Sequence, residues 1–195
     1  MIAPESPECL QTMASVRISQ LRQDDARAAL SRSLELWKDL PPEDARIPDF
    51  ASRVSLARLL MEVQMETEAL AVLDRMVLED DQSVETWYLG GWCQYLLGKK
   101  MQESSSTDAP QGENAQSALL SSRGWLKRSL QLYDALDYED NKLKEHTLEL
   151  VREIEHELKD VIENMDDEED AGNEDDLENE VEADDSDDDH EMADS

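Results

Sequence analysis

Apolar residues recur every three or four positions through roughly the first 160 residues, and nothing alternates with the period of two that a half-buried strand requires. Turn signals interrupt the pattern and predict helices over about 8–22, 24–39, 50–63, 66–79, 84–97, 117–137 and 140–163. Pro41 and Pro42 stop the second helix and Pro48 precedes the third, because proline has no N–H for the helical ladder. The connections are short except for "KKMQESSSTDAPQGENAQS", residues 99–117, whose Ser, Gly and polar content predicts a flexible insertion inside a helical pair.

Short helices with short turns suggest repeats, and register tests the idea. Ala69-x3-Leu73 has the spacing of a second helix in a pair, and Trp87 follows Ala69 by 18 residues. In a 34-residue tetratricopeptide (TPR) repeat, that is the interval from the small residue opening helix B to the Trp of the next helix A. Counted on in this phase, Gly91, Leu97 and Gly98 fall at positions 8, 14 and 15; counted back, Ala57 and Leu60 fall at 8 and 11. Ala26-x3-Leu30 with Ser33, and Ser122-x3-Leu126 with Ser129, read as the flanking B helices. Gly90, Gln94 and Asp81 depart from the pattern at positions 7, 11 and 32. A generic antiparallel bundle would share the 3.6 periodicity but not the Ala/Trp/Gly register. The expected fold is therefore all-α: a TPR-like solenoid of about three helical hairpins. Leu143, Leu150, Ile154, Leu158 and Val161 form one stripe on the last helix, which suits a terminal cap.

The segment "ETWYLGGWCQYLLGKK" combines two Trp, two Tyr and three Gly. At 100° per residue, Trp87, Gly91 and Gln94 share one face and Tyr88, Trp92 and Tyr95 another. The first is expected to pack inward, with Gly91 admitting a neighbouring helix and Gly98 ending the helix as a left-handed cap. The second turns toward the concave groove, unless the final helix folds over it. Glu85 and Glu62 fall on the same inner surface, with Arg58 as a cationic exception. Carboxylates beside rings suit a Lys- or Arg-rich chain through charge pairing and cation–π contacts of about 0.5–2 kcal/mol. The candidate partner-binding residues are thus Glu62, Glu85, Tyr88, Trp92 and Tyr95.

Charge sharpens the choice of partner. The 195 residues carry a formal net charge of −31. Residues 163–195 hold 19 Asp and Glu and no Lys or Arg, leaving 30 acids against 18 bases before them. The expected organisation is a helical domain over 8–162 and a disordered acidic tail over 163–195. An anionic chain disfavours nucleic acid and favours basic proteins. Within the tail, Ser186 precedes Asp187, Asp188 and Asp189 and suits an acid-directed kinase. No apolar run is long enough to span a bilayer, the first residues lack the pattern of a signal peptide, and Cys9 and Cys93 form no disulfide framework.

Catalytic chemistry finds little support. Glu153-x-x-His156 is half of a di-iron motif without its second half, and Cys93 has no histidine near it in sequence, which favours a buried structural thiol. There is no H-E-x-x-H, C-x-x-C, P-loop or G-x-S-x-G. No enzyme activity, cofactor or metal site is expected.

"EDDQSVETWYLGGWCQYLLG", the interrupted helical pair after it, "WLKRSLQLYDAL" and the acidic tail resemble the fungal TPR-type dedicated assembly chaperones of the fourth large-subunit ribosomal protein. The resemblance covers about residues 50–160, with the tail similar in character. It implies a protein that holds a newly made basic ribosomal protein through its basic extension and escorts it from cytoplasm to nucleus; the chain itself is expected to be a monomer. It also implies groove contacts at Glu85, Tyr88, Trp92 and Tyr95. Members of that family are longer, with more repeats before the matched segment; this chain looks like their C-terminal half behind a short N-terminus. The competing readings are a generic TPR adaptor, whose grooves need Lys, Arg and Asn where Tyr88 and Trp92 stand, and a nuclear or histone chaperone acting through its tail.

Overall fold

The computed structural model describes residues 6–104, 109–159 and 161–162. The chain divides into two units, Met1–His156 and Glu157–Ser195. Seven helices and no strand occur among the described residues: α1 (Pro7–Ser19), α2 (Gln23–Glu35), α3 (Phe50–Glu62), α4 (Glu66–Glu79), α5 (Val84–Ser104), α6 (Ala109–Ala135) and α7 (Asn141–Glu157).

Local chemistry starts several of them. Ser6 caps α1 by accepting the Cys9 N–H at 3.2 Å, with Pro7 at the first helical position. Asp49 caps α3 through the Ser52 N–H at 2.7 Å, Ser83 accepts the Thr86 N–H at 3.2 Å, and Asp140 accepts the Leu143 N–H at 3.1 Å. The turns of the first two hairpins rest on left-handed residues, Leu21 (φ 58°) and Gln64 (φ 63°). Neither is glycine, so each turn carries backbone strain of about 1–2 kcal/mol.

The helices pair as α1/α2, α3/α4 and α5/α6, and each hairpin stacks on the one before: α3 on α1 and α2, α5 on α3 and α4. This is the helical-repeat fold expected from the sequence. Its phase is set by the predicted small residues. Ala26, Leu30 and Ser33 are fully buried in α2, Ala69 and Leu73 in α4, and Ser122, Leu126 and Ser129 in α6. The buried hydroxyls also join helix to helix. Ser33 donates to the Pro7 carbonyl at 3.0 Å, Ser122 to that of Gly91 at 2.7 Å and Ser129 to that of Val84 at 2.9 Å. Within α7, Leu143, Leu150 and Ile154 are buried, as the apolar stripe predicts.

Two expectations fail in the third hairpin. Gly98 does not end α5: the helix continues to Ser104 and no glycine has a positive φ among the described residues. Gly98 is buried instead, and a Cβ there would lie 3.0 Å from the Leu119 side chain of α6. Its role is close approach rather than termination. The supposed flexible insertion over 99–117 is helical at both ends, since α5 runs to Ser104 and α6 begins at Ala109. Long-range contacts outweigh local Ser and Gly content here. Ala115 and Leu119 are buried, and the Lys100 ammonium donates to both oxygens of the buried Glu66 carboxylate at 2.7 Å. In the second unit the Ile162 N–H donates to the Leu158 carbonyl at 2.9 Å, and the acidic stretch 163–195 lies outside the described residues.

Candidate functional site

The two faces of α5 have different fates. On one, Gly90 and Gly91 bring α6 so close that a Cβ would fall 2.2 Å from the Trp125 ring or 2.6 Å from Leu126 Cγ. Trp87 packs on Trp125 with ring centroids 4.7 Å apart, but is only partly buried, and its indole N–H donates to the Asp81 carbonyl at 2.8 Å. Cys93 is fully buried, donates to the Glu66 carbonyl at 3.0 Å, and has its thiol pKa pushed up to about 12, chiefly by burial. A neutral, enclosed thiol is a poor nucleophile.

The other face carries Tyr88, Trp92 and Tyr95, all half-buried. The final helix does fold over it. His146 of α7 stands edge-on to both rings, its centroid 5.8 Å from Tyr88 and 5.0 Å from Trp92. The Tyr88 hydroxyl is hydrogen-bonded to His146 Nδ1 at 2.8 Å. Burial raises the Tyr88 phenol to about 12; Arg58 opposes the rise and Asp140 adds to it. Farther along, the Tyr95 hydroxyl donates to Glu153 at 2.5 Å, and Lys99 lies 3.6 Å from that carboxylate.

A groove of about 580 Å³ remains open beside these contacts. Its floor is apolar, from Met61, Leu89, Leu96 and Leu143. Tyr88 and Trp92 form one wall, and Glu62, Arg58, Asp140 and Lys142 stand around it. Arg58 is occupied by an ion pair with Glu85. Asp140 is engaged as the cap of α7. Glu62 is exposed and has no cationic partner among the described residues. The structure therefore gathers Glu62, Tyr88 and Trp92 around one groove. Glu85 is held at its edge against Arg58, and Tyr95 is drawn toward Glu153. Sequence reasoning missed His146. It lies three residues after Leu143 and four before Leu150, within the apolar stripe of α7, so a polar residue interrupting that stripe was its one visible signal.

Comparison with known proteins agrees with this architecture. No protein-family model matches the chain. A probable assembly chaperone of rpl4 from Emericella nidulans is 58% identical over 203 residues, covering 100% of this chain and 51% of that protein. A probable assembly chaperone of rpl4 from Schizosaccharomyces pombe is 35% identical over 145 residues, covering 74% of this chain and 42% of that protein. The solved structure of the assembly chaperone of RpL4 (Acl4), residues 1–338, superposes with a TM-score of 0.52 at 62% identity over 53% of this chain and 37% of that one. The chain thus spans about half the length of the curated relatives it matches. It is a helical-repeat protein that belongs with the fungal assembly chaperones of rpl4, matched over its whole length by the Emericella nidulans protein and over 74% of it by the Schizosaccharomyces pombe one.

Proposed function

We propose that this chain is a dedicated carrier of a newly made, basic large-subunit ribosomal protein, the one for which its relatives are named, and that it acts by binding rather than catalysis. The observation that supports the reading best is the groove in which Glu62, an exposed carboxylate with no cationic partner among the described residues, stands with Tyr88 and Trp92. A lysine or arginine entering there meets a free charge and two ring faces, while its aliphatic stem lies on Met61, Leu89 and Leu96. An extended client segment would continue along the inner surface past Glu85. The 19 acids of residues 163–195 would add a non-specific anionic field that raises the capture rate of a cationic client. A carrier of this kind works between the cytoplasm, where the client is made, and the nucleus, where it is assembled.

Co-expression with that ribosomal protein tests the proposal. The client should co-purify at about 0.15 M salt and be largely lost near 1 M, where ion pairs are screened. Replacing Tyr88 and Trp92 together by Ala should weaken capture at least 10-fold with little loss of helicity. Deleting everything after Ile162 should slow capture while leaving the complex intact. Capture abolished by the deletion and unaffected by the double replacement would move the activity to the acidic stretch and end the groove reading.

A further inference from the structure

The seam between the second and third hairpins is less closed than the one before it. Between the first and second, Arg27 of α2 donates to the Val63 carbonyl at the end of α3 at 2.8 Å, and Arg75 of α4 donates to the Lys38 and Leu40 carbonyls at 3.1 and 3.0 Å. The repeat phase that matches Ala26 to Ala69 and Ala57 to Gly91 carries Arg27 to Leu70 and Val63 to Leu97. In the next seam, therefore, two leucines stand where a cation and its acceptor meet in the first. A cavity of about 810 Å³ opens there among α4, α5 and α6.

Two polar groups on its walls lack partners. Gln94 of α5 is only 6% exposed, borders the cavity, and makes no hydrogen bond among the described residues. A buried amide is ordinarily paired, so one left open against a cavity points to a guest. Asp74 of α4 has no ion pair or hydrogen bond among the described residues, and burial alone raises its carboxyl above the usual range. Lys100, on the same wall, is taken: its ammonium donates to both oxygens of Glu66 at 2.7 Å. Leu70, Leu97 and the half-buried Trp125 ring stand beside these groups.

An unpaired carboxylate, an indole and a leucine floor are also the parts of the groove at Glu62, Tyr88 and Trp92. Gln94 and Leu97 lie on the far side of α5 from those rings. The guest that Asp74 lacks is a cation. A lysine or arginine would pair with the carboxylate and lay its aliphatic stem on Leu70 and Leu97. The peptide group next to it would donate to and accept from the Gln94 amide.

We propose, resting on the reading of the chain as a carrier of a basic protein, that this seam is a second docking site for the same client. It holds a Lys- or Arg-bearing segment other than the one that enters the groove, so the client is gripped on both sides of α5.

Photo-crosslinking in the complex of the full 195-residue chain with its co-expressed ribosomal protein tests this. A photo-reactive residue replaces Ser121, exposed on the cavity wall, in one preparation and Lys142, exposed at the groove, in another. Mass spectrometry should find two different basic segments of the client. A client labelled from position 142 but not from 121, or in the same segment from both, would overturn the second site and leave the carrier reading standing. A client that does not co-purify at all would sink both. Asp74→Lys should weaken capture about 10-fold at about 0.15 M salt, and Asp74→Asn about 3-fold. Asp74→Asn should melt no lower than the unsubstituted chain, because in the free protein its carboxylate has no partner to lose. Capture unchanged by Asp74→Lys, or a lower melting temperature with Asp74→Asn, would count against the site.

Discussion

One side of α5 is held by its backbone and the other by the tips of its side chains. Against α6, glycines at 90 and 91 leave no room for a single added carbon and Gly98 leaves only a tight fit, and the Ser122 and Ser129 hydroxyls donate to α5 carbonyls from buried positions. Against α7, long rings reach across and meet one imidazole and one carboxylate. The difference lies in what can be exchanged. Close-packed backbone has no alternative arrangement of similar energy. A ring edge hydrogen-bonded to His146 or Glu153 can take a guest's hydrogen bond or cation at little net loss. The first side makes the hairpin; the second leaves a surface able to bind.

The sharpest way to break that contrast is Gly91→Val. The new Cβ would fall 2.6 Å from Leu126 Cγ and 3.1 Å from the Leu126 backbone nitrogen, so side-chain rotation alone cannot clear it. Overpacking against backbone costs about 3 kcal/mol or more. Thermal unfolding should begin about 6–12 °C lower in a domain of this size. An unchanged melting temperature would mean that α5 and α6 are not in backbone contact. Ser122→Ala tests the same side more gently. It removes a buried 2.7 Å hydrogen bond to the Gly91 carbonyl and should destabilise by about 1–2 kcal/mol in chemical denaturation.

The hairpin phase was legible because small residues at helix crossings leave a periodic mark. Ala26, Ala69 and Ser122 each stand four residues before a fully buried Leu, and α4 has the predicted bounds of 66 and 79. What stayed hidden depended on neighbours far along the chain. Gly98 sits where a TPR repeat turns, and its propensity cost of about 1 kcal/mol reads locally as a stop. Only the arrival of Leu119 and Ala115 shows that the helix gains by continuing. The true turn residues at the same repeat position, Leu21 and Gln64, carry no local signal of a left-handed backbone. The groove was half visible. The phase puts Tyr88, Trp92 and Glu62 on the inner side, but the stripe of α7 says only that it packs, not that His146 will meet a tyrosine 58 residues away.

Tyr88→Phe probes the exchangeable side. It removes the hydroxyl bonded to His146 and keeps the ring, so the stability loss should be small, about 0.5–1 kcal/mol. Its signature is spectroscopic. Burial raises the folded phenol to about 12, above the roughly 10 of an unfolded chain. This preference for the neutral form stabilises the fold fully below pH about 10 and is lost as pH rises through about 12. Alkaline absorbance titration should show a late-ionising tyrosine that Tyr88→Phe removes. A Tyr88 that titrates with the exposed phenols would mean that α7 does not cover it.

The smallest effect should come from the charges that hold α7 to α6. Glu155 lies 2.7 Å from Lys127 and 2.9 Å from Arg123, and Lys127 first, then Arg123, hold its carboxyl below the usual range. A lowered folded pKa contributes stability above the unfolded value, about 4.3, which disappears as pH falls through the folded one. Glu155 remains 37% exposed, so solvent screening keeps the contribution well under 1 kcal/mol. Glu155→Gln should therefore melt about 1–2 °C below the unsubstituted chain at pH 7 in low salt, and the gap should shrink as pH falls below the unfolded value and close as it passes through the folded one, and it should also shrink in high salt. Because α7 is also the cover of the ring side, the same substitution should leave Gly91-side stability untouched while speeding hydrogen exchange in α7. Equal acceleration in α6 and α7 would show that the two sides of α5 open together, and that the exchangeable face is not independent of the fixed one.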